Sequence, residues 1–184
     1  MKKLILLAAC ATAAACNQGQ QIHEKNASVA EVAKKVGETS VAQDFVRAGL
    51  WESKATVEQL DVPGLPPQMA ERMKANMAEH QPKAFQSCLT PEDVKRPKEE
   101  FFAGKNNQCR YDHFDMGGGK IDALMHCGEE RMTQTMQMNG TYSPDSYVMH
   151  ISTRMQGTMA VDHEMTMRMR IDAHRLGECT GKED

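Results

Sequence analysis

Met165-Thr166-Met167-Arg168-Met169-Arg170-Ile171 alternates apolar and polar residues at period two, in a chain holding 15 methionines among 184 residues. Successive side chains of a strand point to opposite faces, so this spacing predicts a β-strand with a methionine face and a wet face. Working back, residues 109–114, 121–127, 132–141, 147–155 and 164–171 read as strands, separated by Gly117-Gly118-Gly119, Gly128-Glu129-Glu130, Ser143-Pro144-Asp145 and a looser 157–163. Short connections make such neighbours antiparallel. The inward sets are Ile121, Ala123, Met125 and Cys127; Met132, Met136 and Met138; Tyr147, Met149, Ile151 and Met155; and Met165, Met167, Met169 and Ile171. The prediction is a mainly β fold with minor α. About seven strands form an antiparallel meander, a curved sheet, half-barrel or barrel, with one amphipathic helix packed on it.

Upstream, residues 49–57 alternate as a first strand with Trp51, Ser53, Ala55 and Val57 on one face, and the single tryptophan reads as a core plug. Val62-Pro63-Gly64-Leu65-Pro66-Pro67 ends that strand and admits a helix, because proline is tolerated in a first helical turn. Met69, Met73 and Met77 recur every fourth residue beyond it, a stripe expected to close over the sheet and to end near His80, before Pro82. Thr90, Pro91, Glu92 and Asp93 have the order of an N-cap, a first helical residue and acids at the positive helix end, which predicts a short helix there.

Before residue 47 the chain is polar and alanine-rich, with no aromatic until Phe45. It reads as a flexible tether over 16–46. Val29, Val32, Ala33 and Val36 share a helical face, but an isolated helix so short is marginal. Lys2 and Lys3, the apolar run 4–9 and the small residues after it have the order of a secretory signal over 1–15, too short to span a membrane. A cysteine after small residues resembles the bacterial lipobox, whose thiol is acylated. Cys16, after Ala13-Ala14-Ala15, leaves an apolar stretch of ordinary length; Cys10, after Leu7-Ala8-Ala9, is the alternative with a better local match. The expected organisation is thus signal 1–15, lipidated tether 16–46, one β domain over 47–180 and a tail over 181–184. Asn17 rather than aspartate after Cys16 resembles the outer-membrane sorting pattern of enteric bacteria, so the expected address is the periplasmic side of the envelope, with the membrane reached through the N-terminal lipid.

Loss of Lys2 and Lys3 with the signal leaves 20 of the 22 basic residues against 25 acidic ones, a formal charge of about −5. That balance leaves no basic footprint for nucleic acid. Cys88, Cys109, Cys127 and Cys179 remain, an even number that reads as two disulfides in an exported chain. Cys109 and Cys127 lie nine residues either side of Gly118, so a hairpin turning there sets them opposite each other, within disulfide reach. Cys88 with Cys179 is then the second pair, each bridge contributing about 2 to 4 kcal/mol.

Several motifs in order resemble a known family. Gly-Leu-Trp-Glu at 49–52, Pro-Gly-Leu-Pro-Pro at 63–67, Cys-Leu-Thr-Pro-Glu-Asp at 88–93, Gly-Gly-Lys-Ile at 118–121, the Thr/Met-rich strands and Gly-Glu-Cys at 177–179 look like the proteobacterial domain of unknown function family 3617. The resemblance covers about residues 47–180 and implies a small exported or lipid-anchored domain. It transfers no activity and no catalytic residues.

The residues themselves permit three chemistries. Thioethers are soft ligands suited to Cu(I), and Met165, Met167 and Met169 with Met136 and Met138 give the Met-x-Met spacing that puts sulfurs on one face of a strand. The same spacing serves core packing, where methionine fills irregular gaps. If the face is open, those five residues are also where an apolar ligand or an envelope protein would bind. Zinc held by Cys109, His113, His126 and Cys127 is disfavoured, because His126 and Cys127 are adjacent in a strand and point apart. Asp112, His113 and Asp115 read as a wet strand end. With no nucleophile elbow, His-Glu-x-x-His or phosphate loop in the sequence, the expectation is an envelope lipoprotein that binds rather than catalyses and needs no cofactor. The alternatives are a carrier of lipid or another apolar ligand and a methionine-rich Cu(I) binder.

Overall fold

The run at Met165 forms the last strand of one eight-stranded sheet. In chain order the elements are β1 (Ile22–Ser28), α1 (Val29–Glu38), α2 (Val41–Phe45), β2 (Gly49–Asp61), α3 (Pro67–His80), β3 (Phe85–Leu89), α4 (Pro91–Lys95), β4 (Cys109–Gly117), β5 (Lys120–Glu129), β6 (Met132–Ser143), β7 (Ser146–Gly157) and β8 (Met165–Gly177). The computed structural model describes residues 21–39, 41–80, 84–98, 102, 108–129, 132–157 and 164–181. The signal 1–15, both candidate acylation cysteines Cys10 and Cys16, and residues 182–184 lie outside them. The strand order is β1-β4-β5-β6-β7-β8-β2-β3, with every neighbouring pair antiparallel. β4 to β8 are the expected meander. Among the described residues β1 and β3 are the two edges, so the sheet stays open and the closed-barrel alternative is not realised.

The β4–β5 turn is the two-residue Gly118-Gly119, both at positive φ (57° and 75°), which suits the right-handed twist of a tight hairpin. Met116 therefore faces Ile121, and continued without interruption that register would leave Cys109 one residue out of step with Cys127. A bulge at Asp112, between Tyr111 and His113, absorbs the extra residue and sets Cys109 opposite Cys127 with Cα atoms 4.0 Å apart. The pair expected from symmetry about Gly118 is formed, by a different route. Cys88 and Cys179 form the second bridge, with Cα atoms 5.6 Å apart. Cys88 and Gly177 both pair with Leu50, so this bridge spans β2 and ties β3 to the chain after β8.

Two expectations are overturned. The segment read as a flexible tether contributes an edge strand and the principal covering helix: β1 pairs with β4 from Ile22↔Met116 to Ser28↔Arg110, and Val29, Val32, Ala33 and Val36 of α1 are buried. The marginal stability of a short isolated helix did not decide the outcome, because α1 is not isolated. Its apolar stripe meets the sheet, and Ser28 and Glu31 form a capping box, the Glu31 backbone N–H donating to Ser28 Oγ and the Ser28 N–H donating to Glu31 Oε2 at 2.7 Å. Residues 22–38 thus belong to the sheet and its core, which the expected start at residue 47 leaves out. Conversely, the methionine helix does form, as α3, but does not close the sheet: Met69 and Met73 are 51% and 42% exposed. It sits beside β2, where Lys74 Nζ donates to the Glu58 carbonyl at 2.6 Å.

The core lies between α1, α2 and the central strands, with Ile22, Val32, Val36, Val41, Trp51, Tyr111, Phe114, Met116 and Met125 fully buried. Trp51 is the expected plug; its Nε1–H donates to the Arg47 carbonyl at 2.9 Å. Burial pushes the Tyr111 hydroxyl above its usual pKa range, and its O–H donates to the Phe102 carbonyl at 2.9 Å. Gly140 is required by close approach, since a Cβ there would overlap the Val148 carbonyl and the Met149 sulfur. α4 has the predicted Thr90 cap with Pro91 in the first turn.

Candidate functional site

The strand registers assemble the inward residues into rows across the sheet. One row runs Met125, Met136, Thr153, Met167, Leu60; the next runs Ala123, Met138, Ile151, Met169, Val57. Gln134, Met155 and Met165 form a third. The rows change character along their length. Met125 and Ala123 are completely buried, and Met138 and Met149 belong to the core; Met136, Ile151 and Ile171 pack against it half-buried. Met155, Met165, Met167 and Met169 are half-buried and stand outside that core. Helices α1 and α2 cover the β4–β6 side; on the β7–β8 side of the same face, among the described residues, the half-buried methionines share their rows with Thr153, Val57 and Leu60, which are themselves buried. Of the five predicted methionines, Met138 is therefore core and Met165, Met167 and Met169 line a partly open face. Met136 and Met167 flank Thr153 on either side of β7, about two strand spacings, or roughly 9.5 Å, apart.

A second apolar feature leaves no short motif in the sequence. Val36, Phe45, Val46, Leu89, Val94 and Phe102 line a cavity of about 330 Å³ on the helical side, bordered by Cys88 and the Asp93–Lys98 ion pair at 3.3 Å. The Thr90 hydroxyl and then its backbone N–H hold the Asp93 carboxyl below the usual range. Of the α1 stripe, Val36 lines this cavity, and reading residues 16–46 as a tether conceals that signal.

The outer face is polar and, among the described residues, carries three His–Asp pairs: His23 Nδ1 to Asp115 Oδ1 at 2.6 Å, His113 Nε2 to Asp122 Oδ1 at 2.7 Å and His126 Nε2 to Asp112 Oδ2 at 2.9 Å. The bulge at Asp112 causes this clustering. Strict alternation from Tyr111 would turn His113 inward, whereas the extra residue places both Asp112 and His113 outside. Cys109 and Cys127 are bridged on the inner face while His126 pairs with Asp112 on the outer one, so Cys109, His113, His126 and Cys127 are not brought together as a zinc set. Asp112, His113 and Asp115 are at the surface as expected; their partners Asp122, His126 and His23 came from other strands and left no short motif.

An open, disulfide-pinned antiparallel sheet with helices over one half of its inner face defines the class of this protein. The chain belongs to the family described as Protein of unknown function (DUF3617), which matches over residues 46–179. That span takes in β2 to β8, so β1, α1 and α2 precede the matched segment. Among curated proteins and among solved structures nothing matches.

Proposed function

We propose that this is a binding module of the cell envelope, without catalytic activity, whose methionine face on β7 and β8 receives an apolar ligand or the apolar surface of a partner. The observation that carries the reading is the half-buried set Met155, Met165, Met167 and Met169, which stands outside the core cluster while helices cover the β4–β6 side of the same face. Flexible, polarizable side chains adapt to varied apolar shapes, and an extended sheet holds them in register. The N-terminal sequence supplies the address: export by residues 1–15 and acylation of Cys16, or of Cys10, would hold the domain at the outer membrane on its periplasmic side. Two acyl chains suffice for stable anchoring where one does not.

Titration of the mature chain with the apolar fluorophore N-phenyl-1-naphthylamine tests the reading. Saturable binding is expected, weakened at least tenfold in the double variant Met167→Glu/Met169→Glu and unchanged in Met73→Glu. Equal binding by all three chains, with circular dichroism reporting intact folds, would remove it. Two further readings rest on particular observations. The helix-side cavity of about 330 Å³, at the lower end for small-molecule sites, supports a carrier for a small apolar ligand, and binding would then survive the β8 substitutions. Met165, Met167 and Met169 alternate on one side of β8 within reach of solvent, which supports Cu(I) coordination; competition against bicinchoninate decides that one.

A further inference from the structure

We propose that the outer face of β4 and β5 carries a divalent transition-metal site, of the kind Zn²⁺ fills, with His113, Asp115 and Asp122 as ligands and His23 of β1 as a positioning residue. The ligating atoms of His113, Asp115 and Asp122 all lie within 4.8 Å of one another. One imidazole nitrogen and two carboxylate oxygens on rigid strands make a three-ligand set that leaves coordination positions open. Asp115 and Asp122 are direct cross-strand partners, and like charges in that relation are unfavourable. A cation bound between them turns the repulsion into attraction.

The backbone goes out of its way to build this set. The bulge at Asp112 turns His113 to the outer face two residues from Asp115, and β1 follows it: Lys25 and Asn26 are both exposed, with Asn26 at φ 49°, before Ala27 turns inward. His23 stays in step and sets its Nδ1 2.6 Å from Asp115 Oδ1, so the edge strand orients one carboxylate of the site. A groove of about 490 Å³ adjoins the two carboxylates. His23, Asp115, Asp122, Asn139 and His150 line it together with Lys120, while His113 stands outside its lining, so the groove gives water or an exogenous ligand access from the Asp115 and Asp122 side. The third His–Asp pair, His126 with Asp112, has no second carboxylate grouped with it among the described residues and instead has the Thr135 hydroxyl 3.1 Å from His126 Nδ1. It serves as an internal control.

Isothermal titration calorimetry of the tag-free mature chain with Zn²⁺ alone tests the site, with Ca²⁺ as a second titrant. One equivalent of Zn²⁺ is expected to bind, with the melting temperature rising. His113→Ala and Asp122→Asn should each weaken Zn²⁺ at least tenfold, whereas His126→Ala should leave it unchanged. Asp122→Asn also relieves the carboxylate repulsion, so its metal-free fold is retained. His23→Gln should weaken binding about tenfold without changing the stoichiometry, the effect of removing an orienting partner, and Zn²⁺ should slow hydrogen exchange in β1 of the native chain but not of this variant. No saturable Zn²⁺ binding, binding unaltered by His113→Ala or Asp122→Asn, or Ca²⁺ preferred over Zn²⁺ would each overturn the proposal.

Discussion

α1 and α3 both carry an apolar stripe at helical spacing, Val29-Val32-Ala33-Val36 in one and Met69-Met73-Met77 in the other, and they meet opposite fates. The first is buried; most of the second faces solvent. α1 is the more apolar and the more sharply two-sided of the two helices. Connectivity works in the same direction. β1 lies at one edge of the sheet and β2 next to the other, so residues 29–48 have to cross its inner face and can bury what they carry on the way. β2 and β3 are immediate neighbours, so α3, which joins them, crosses nothing. A stripe shows that a helix can cover a core, and topology selects which helix does.

The largest effect that would break this contrast is a charge in each stripe. Val32→Asp is expected to cost about 3 kcal/mol or more, because it strands an unpaired carboxylate in the core, while Met73→Asp should stay within about 0.5 kcal/mol; urea unfolding of the two variants reads the difference. If both cost the same, α3 covers a core in solution and the contrast is wrong. Next, the paired substitution Cys109→Ser/Cys127→Ser should cost about 2 to 4 kcal/mol. It removes the covalent lock on the bulged hairpin against which β1 and α1 dock, and protection of β1 amides from hydrogen exchange should fall before that of β7 amides. Smaller again, Ser28→Ala should cost about 1 kcal/mol by opening the α1 capping box. No matching side-chain cap holds the start of α3, so Pro66→Ala there should change stability less.

The smallest effect is a pH dependence. The Ser28 backbone N–H, and after it the Ser28 hydroxyl, hold the Glu31 carboxyl below its usual range, as Thr90 does for Asp93. A carboxylate depressed on folding contributes stability that is present above its unfolded pKa and lost as pH falls through its folded one. The urea midpoint should therefore decline as the medium is acidified below the usual carboxylate range, and less steeply in Glu31→Gln and Asp93→Asn. An equally steep decline in those variants would assign the acid sensitivity elsewhere.

Much of the sheet was legible in sequence because period-two alternation is a local property and the turns between β4, β5, β6 and β7 are short. Residues 22–28 were not, since Glu24, Lys25 and Asn26 interrupt the alternation where β1 follows the bulge of β4. β3 was hidden by its length of five residues and its partly exposed side chains. The candidate surfaces follow the same rule. Met165, Met167 and Met169 announced a shared face, but whether that face was covered depended on where α1 and α3 lay. The His–Asp pairs were invisible, because Asp115 meets Asp122 and His23 only through strand pairing, and the outward turn of His113 depends on one extra residue at Asp112.

By itself, then, the sequence determined the strand material, the antiparallel sense, both disulfide pairs, the cap at Thr90 and the family, all of which rest on patterns a few residues long or on ordered motifs. Only the tertiary structure decided that residues 22–38 are an edge strand and a core helix, that the methionine helix stands aside, and that two carboxylates and an imidazole meet on the outer face. Burial and coordination are properties of what lies opposite, and what lies opposite is set by the order of strands in the sheet.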